Sequence, residues 1–275
     1  MPTSTSLHPR GSGTADLVVV LTGAAGAIGS ACARELLASG AVVLLCDKDQ
    51  AALADLARSL QGVGRSSSHV LDVTSPAAVA DLVNEAIRVH GRIDVVVNNA
   101  GMMHADPVLD LAIDTWRRVF AVNVEGALLM SQAAARVMVT QAESPGWGRR
   151  GLLVNVSSRS AEMGRPFSAA YGASKAALNH LTTSLSAALS PLGVVSVVIY
   201  PGDVKEGMLG NTLPALAAVQ GRSVEELTGE RAYQSPAEYA AILRDLIATP
   251  GTVLDGHIVR PDRTTTLLEI DRPAY

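Results

Sequence analysis

The sequence predicts an α/β fold: a doubly wound parallel sheet in a three-layer αβα arrangement, built as a single domain. Three observations predict it. Short β-branched apolar runs alternate with Ala/Leu-rich stretches along most of the chain. Several runs are continuously apolar rather than alternating, as strands covered on both faces require. The stretches between them are long enough for the crossover helices that join parallel strands. A length of 275 residues suits one large domain, because cores typically divide only beyond ~250–300 residues.

The elements follow in order. Residues 1–15 carry no apolar core of a secretory signal and read as a disordered tail before a domain over 16–275. A first strand is expected over 17–21, then a helix over 28–39, a strand over 41–46 and a helix over 50–60. A short strand over 69–71 leads to a helix over 76–90, with Ser75 placed to cap it and Pro76 in its first turn. The fourth strand covers 93–97. A long helix over 114–141 follows, with Asp114 as its cap. The Gly/Pro-bearing segment 144–151 reads as a loop before a strand over 152–156. Next come a helix over 169–189 and a strand over 194–199. Residues 201–231 break the alternation and read as a mobile segment, with a substrate loop over about 203–232. A helix over 236–248 and a strand over 257–259 complete the pattern. Gly40, Gly91 and Gly193 follow helix ends, where a left-handed residue is needed.

Composition excludes several classes. Hydrophobic residues form 48% and charged residues 17% of the chain, the opposite of a disordered composition. Twenty-two basic and 26 acidic residues, with no Lys/Arg-rich run, argue against a nucleic-acid partner. No apolar stretch reaches the ~20 residues that span a bilayer, which argues against a membrane partner. Cys32 and Cys46 lack metal-ligand spacing and sit in apolar runs. They read as buried reduced thiols, so no metal is expected and a cytoplasmic location is.

The first strand runs into Thr22-Gly23-Ala24-Ala25-Gly26-Ala27-Ile28-Gly29, which opens a helix. Glycines let a backbone approach a pyrophosphate, and a helix N-terminus offers free N–H groups and a positive dipole end. A tight turn serving the fold alone is the alternative. Asp47 ends the second strand, eighteen residues after Gly29. An acid there accepts hydrogen bonds from an adenosine ribose and repels a 2′-phosphate, which favours NAD(H) over NADP(H). The adjacent Lys48 pulls the other way, and a solvated strand-end carboxylate is the plainer reading of Asp47.

With Asp72-Val73, Asn98-Asn99-Ala100-Gly101, Asn123, Ser158, Tyr171-x-x-x-Lys175 and Pro201-Gly202 in that order, the sequence resembles the short-chain dehydrogenase/reductase family, in its compact single-domain branch. The resemblance runs from about Asp16 to about Arg260 and implies a Rossmann-like fold. It implies that Gly23, Ala27, Ile28, Gly29, Asp47, Asp72, Val73, Asn99, Ala100, Gly101, Pro201, Gly202 and Val204 neighbour the cofactor, with Asp72 and Val73 beside the adenine.

Tyr171 and Lys175 are four residues apart in a helical stretch and share one face. A phenol with a pKa of ~10 is a poor base near neutrality. A nearby ammonium would favour phenolate and bring it toward the working range. The family resemblance makes Tyr171 the acid/base and Lys175 its tuner and a nicotinamide-ribose ligand. It makes Ser158 the stabiliser of the substrate oxygen, in preference to Ser157, and Asn123 a helix-kinking anchor of a proton relay. On the bare sequence, an accidental surface pair would account for Tyr171 and Lys175, and an ST-turn for Ser158.

Three departures from the family pattern stand out. Ala27 replaces the middle glycine of the phosphate turn. Glu206 stands where a cofactor-contacting threonine is usual, and is expected to point away from the diphosphate. Residues 256–262 read GHIVRPD in place of the usual Asp-Gly-Gly. Met103, His104, Ser160 and Arg165 are the candidate substrate residues. Together they imply a small or mid-sized molecule with an apolar body and a polar or acidic group. The expected activity is hydride transfer between NAD(H) and a secondary alcohol or ketone, by a homo-oligomer, tetramer or dimer. An NAD-binding sensor or scaffold without turnover is the alternative.

Overall fold

A computed structural model describes residues 13–144, 146–229 and 232–268 of the chain. Its centre is one sheet of eight strands in the order β3-β2-β1-β4-β5-β6-β7-β8. The strands are β1 Val18–Thr22, β2 Val42–Asp47, β3 Arg65–Val70, β4 Val95–Asn98, β5 Gly151–Val156, β6 Val194–Ile199, β7 His257–Val259 and β8 Thr265–Leu267. The first seven run parallel, and β8 pairs antiparallel with β7.

Helices cover both faces. The first two are α1 Ala27–Ala38 and α2 Gln50–Ser59, and α3 Pro76–His90 then crosses to β4. Next come α4 Ile113–Phe120, α5 Gly126–Met138 and α6 Ala169–Leu189, followed by α7 Met208–Gln220, α8 Val224–Gly229 and α9 Pro236–Ala248. Side chains of β1 alternate between two cores. Val19 and Leu21 join α1, α2 and α9 on one face. Val18 and Val20 join α3 and α5 on the other. The central strands are buried on both sides, so their sequences are apolar throughout. The order reverses between β1 and β4, and a crevice opens beyond the carboxyl ends of such neighbours.

Local chemistry explains most boundaries. Ser75 accepts from the Ala78 N–H, with Pro76 in the first turn. Gly40, Gly91 and Gly193 adopt φ of 91°, 74° and 79°. Cys32 and Cys46 are buried and free, and burial pushes both thiols up.

Several expectations need correction. The tail expected over 1–15 lies outside the described residues as far as residue 12. Beyond it, Thr14 is buried and its hydroxyl donates to the Ser39 carbonyl, so the folded unit begins no later than residue 13. The third strand starts at Arg65 rather than 69. It is an exposed edge strand, so Arg65-Ser66-Ser67-Ser68 carries no apolar signal. The helix expected over 114–141 is two helices joined by a π-helical turn, Ala121–Glu125. Ala112, not Asp114, occupies its cap position, and Asp114 pairs instead with Arg117 in the first turn. The segment expected to be mobile carries α7 and α8, which enclose an apolar cluster of Leu213, Ala217 and Leu227. Strand β8 was not expected, because Thr265-Thr266-Leu267 carries no continuous apolar run.

Candidate active site

The crevice between β1 and β4 has a glycine floor. Gly23 has φ +64°, and a Cβ there would lie 2.8 Å from the Ala100 Cα. A Cβ on Gly29 would lie 2.1 Å from the Gly23 carbonyl oxygen, so no larger residue fits. Thr22 and Gly23 are stitched to the turn after β4. Asn99 Nδ2 donates to the carbonyls of Thr22 and Gly23 at 2.9 and 3.0 Å. The Asn99 and Ala100 N–H groups donate to Thr22 Oγ1 at 3.1 and 3.0 Å.

The residues present fit a dinucleotide. Helix α1 has Gly26 at its cap position, no side-chain cap and no acid in its first turn. Its end N–H groups and dipole are therefore available to an anion such as a diphosphate. Ala27 and Ile28 begin this helix. Asp47, half-buried, accepts from the N–H of Ala25 at 3.0 Å and of Asp49 at 3.1 Å, and so braces the phosphate turn. Asp72 is exposed; its hydrogen bonds from Thr74 hold its carboxyl below the usual range. Val73 is buried against α5, where a Cβ on Gly126 would come within 2.6 Å of Val73 Cγ2.

The chemistry-bearing side chains converge at the far end. Lys175 and Tyr171 lie one turn apart on α6. Lys175 Nζ donates to the Val156 carbonyl at 2.8 Å and lies 5.6 Å from the Tyr171 ring centroid. A Cβ on Gly101 would lie 3.7 Å from Lys175 Nζ and 3.5 Å from Asn123 Oδ1. Asn123 is buried in the π-helical turn. Its Oδ1 accepts from the Met102 N–H at 2.7 Å, and its Nδ2 donates to the Met102 carbonyl and to Ser174 Oγ, both at 2.9 Å. Its side chain therefore holds the loop after β4 against α6. Ser174 in turn donates to the Tyr171 carbonyl at 2.7 Å.

Ser158 follows β5. Its Oγ accepts from the Ser160 N–H at 3.1 Å and hydrogen-bonds the Tyr171 phenol. Ser157 points inward and donates to the Lys175 carbonyl, which leaves Ser158 as the serine at the phenol. The electrostatics differ from the expectation. Burial pushes the Tyr171 phenol above its usual value, and Asp203 adds to this, while the Ser158 hydrogen bond and the Arg165 cation pull it down. Burial pushes Lys175 down to about 8. The lysine is thus directed at a backbone carbonyl, and the groups that favour phenolate are Ser158 and Arg165.

The loop after β6 closes one side. The Gly202 N–H donates to Gln234 Oε1 at 2.8 Å, and the Gln234 N–H donates to the Asp203 carbonyl. Pro201 is half-buried and Val204 buried, while Glu206 is exposed. Gly207, with φ +77°, rests on Ala27: a Cβ there would lie 3.0 Å from the Ala27 methyl. Met208 Cε would lie 3.4 Å from a Cβ on Gly101. This segment therefore crosses the crevice from the start of α1 to the loop beside Lys175.

Of the substrate candidates, Met103 and Ser160 are half-buried, His104 pairs with Asp106 at 2.8 Å, and Arg165 acts on Tyr171. The Asp106 N–H donates to the Phe167 carbonyl at 3.1 Å, which ties the two loops together. Sequence reasoning missed Ser174, Gln234 and Met208. Gln234 lies thirty-two residues from Gly202 and carries no local signal. Among the described residues, no His/Cys/Asp/Glu cluster is arranged to hold a metal ion, and no helix is long and apolar enough to cross a membrane.

Comparison with known proteins gives one answer. The family model described as short chain dehydrogenase matches residues 17–216. The meso-2,3-butanediol dehydrogenase of Serratia marcescens is 32% identical over 249 residues, which cover 90% of this chain and 94% of that protein. Mouse dehydrogenase/reductase SDR family member 7B is 30% identical over 76% of this chain and 67% of its own length. In its Xenopus laevis counterpart the match spans 61% of the longer protein. An NAD+-bound xylitol dehydrogenase superposes with a TM-score of 0.78 at 29% identity, over 90% of this chain and 100% of that one. The RhlG/NADP active-site complex of Pseudomonas aeruginosa does so with a TM-score of 0.77 at 27% identity, over 92% and 97%.

Proposed function

The chain belongs to the short-chain dehydrogenase family, and on that premise we propose that it is an NAD(H)-dependent oxidoreductase acting on a secondary alcohol or ketone of a small to mid-sized molecule. One observation carries the proposal: Ser158, Tyr171, Lys175 and Asn123 meet at the end of a glycine-floored crevice whose helix terminus is free for an anion.

In this reading Gly23, Ala27, Ile28 and Gly29 hold the diphosphate. Asp47 receives the adenosine ribose, and Asp72 and Val73 flank the adenine. Asn99, Ala100, Gly101, Pro201, Gly202 and Val204 line the nicotinamide half, and Lys175 reaches its ribose. A nicotinamide held there would supply the hydride acceptor or donor. The remaining work falls to the protein. The Ser158 hydroxyl donates to the substrate oxygen and steadies charge there. During reduction the Tyr171 phenol gives its proton to that oxygen and becomes phenolate; during oxidation the phenolate takes the proton from the alcohol. Burial disfavours a standing phenolate, so Ser158 and Arg165 offset that penalty as charge develops. Lys175, titrating at about 8, can exchange a proton near neutrality and passes charge toward the relay anchored at Asn123.

The preference for NAD(H) rests on the Asp47 carboxylate, whose charge would oppose a 2′-phosphate. The solved relatives include NAD+-bound and NADP-bound proteins, so Asp47 is the feature of this chain that favours one. Met103, His104 and Ser160 form the mouth that meets the substrate. Assembly as a dimer or tetramer and a cytoplasmic location belong to the same proposal. The test is a panel of secondary alcohols and ketones with each nicotinamide cofactor, read by absorbance of the reduced form. Turnover with NAD(H) exceeding that with NADP(H) is expected. Binding of NADH without turnover of any compound would support a sensor instead.

A further inference from the structure

Beyond hydride transfer itself, the structure assigns a substrate class. We propose that the Arg165 guanidinium receives a carboxylate of the substrate, so that the chain acts on a small hydroxy acid or its oxo acid; this rests on the oxidoreductase reading above. Arg165 lies in the loop between the 3-10 turn Arg159–Ala161 and α6, six residues before Tyr171. Its side chain is only partly exposed, and its Nε is buried with no hydrogen-bond partner. Among the described residues, no carboxylate pairs with it. The acids of the neighbouring segments are otherwise engaged: Asp106, tied to Phe167, pairs with His104, and Glu162 pairs with Arg260. Asp203 also acts on Tyr171 but has a partner of its own. A desolvated guanidinium N–H without an acceptor is costly, and a planar fork of donors matches a carboxylate.

The placement joins this cation to the reaction. Arg165 is close enough to act electrostatically on the Tyr171 phenol, where the substrate oxygen must sit. A carboxylate held by Arg165 would therefore lie on the same side of the site as the reacting carbonyl, as in a short oxo acid. The backbone around it is anchored: the Phe167 carbonyl accepts from the Asp106 N–H, and the Ser168 N–H donates to the Arg165 carbonyl. The guanidinium is thus carried on a fixed support at the mouth.

The test uses matched pairs: acetoacetate and pyruvate against their methyl esters, with full-length wild type, Arg165→Gln and Arg165→Lys. Binding to the NADH-loaded protein is followed by titration calorimetry and reduction by NADH absorbance. Tyr171→Phe serves as a binding-competent control. At least one acid should bind wild type tenfold or more tighter than its ester. Arg165→Gln should abolish that preference, read as the acid-to-ester ratio of affinity and of KM, while kcat for the ester falls with loss of the cation that favours the Tyr171 phenolate, and Arg165→Lys should keep part of both. No acid preference in wild type, or a preference that survives Arg165→Gln, overturns the proposal. Ester turnover without acid preference would sink this inference and spare the oxidoreductase reading. Arg165-dependent acid binding without any turnover would do the reverse.

Discussion

Asn123 Nδ2 donates to Ser174 Oγ at 2.9 Å, and this contact fastens the π-helical turn to the helix that carries Tyr171 and Lys175. Both side chains are buried, so neither can exchange the other for water.

Replacing Asn123 by Ala leaves the Met102 N–H without its side-chain acceptor and removes the donor to Ser174. Unsatisfied buried groups cost about 1–3 kcal/mol each. The expected result is a clear loss of stability in urea unfolding and a fall of about tenfold or more in kcat, from displacement of the catalytic face. Unchanged unfolding and unchanged kcat would show that the contact positions nothing.

Two of the three glycines of the phosphate turn, Gly29 and Gly26, should behave oppositely. A Cβ on Gly29 would meet the Gly23 carbonyl at 2.1 Å, whereas one on Gly26 finds its nearest neighbour at 3.5 Å. Gly29→Ala should cost about 1–3 kcal/mol or more by overpacking, and weaken NADH binding. Gly26→Ala should be nearly neutral in both chemical denaturation and NADH titration. Equal behaviour of the two variants would refute the close-packed floor.

Lys175 should make stability depend on pH. Its folded value of about 8 lies below the unfolded 10.5. The unfolded chain therefore binds more protons between these values, and stability rises with pH across that window. Equivalently, that contribution is present above 10.5 and lost as pH falls through 8. The full swing is about 3 kcal/mol. Between pH 7.5 and 9.5, before the raised Tyr171 phenol enters in the opposite sense, wild type should gain stability relative to Lys175→Met. Parallel pH profiles for the two proteins would contradict the burial of a titrating amine.

Asp47 should govern the choice of cofactor. Asp47→Ser removes the charge that opposes a 2′-phosphate, and kcat/KM for NADP(H) relative to NAD(H) should rise roughly tenfold or more. Because Asp47 also braces Ala25, a modest loss of affinity for both cofactors is expected. An unaltered ratio would assign the carboxylate to the turn alone.

Met208 crosses the crevice beside Gly101 and Lys175. Met208→Ala should tighten NADH binding several-fold, because less side chain must leave the cleft. A weaker NADH complex would make the methionine part of the bound-state wall instead.

Much of the fold was legible because its centre is chemically extreme. Strands such as Val194–Ile199 are buried on both faces, so their sequences are apolar throughout and stand out. The candidate catalytic residues stood out because Ser158, Tyr171 and Lys175 lie within eighteen residues along one strand–helix unit. Edge structure was not: Arg65–Val70 faces solvent and Thr265–Leu267 opens with two threonines, so neither carries an apolar run. The π-helical turn was read only as a kink at Asn123, since one extra residue in a helical turn leaves no compositional trace. Gln234 and Met208 reach the site through tertiary contacts over long sequence separations. The direction of the Lys175 amine, toward the Val156 carbonyl, likewise depends on packing that spacing alone does not specify.

In the proposed mechanism the Tyr171 hydroxyl moves the proton while the crevice holds the dinucleotide independently of it. Rates for wild type and Tyr171→Phe, on the best compound of the alcohol and ketone panel, should be measured together with NADH affinity by fluorescence. The variant should lose about a hundredfold or more in kcat, with NADH affinity kept to within about threefold. Wild-type turnover in Tyr171→Phe would contradict it.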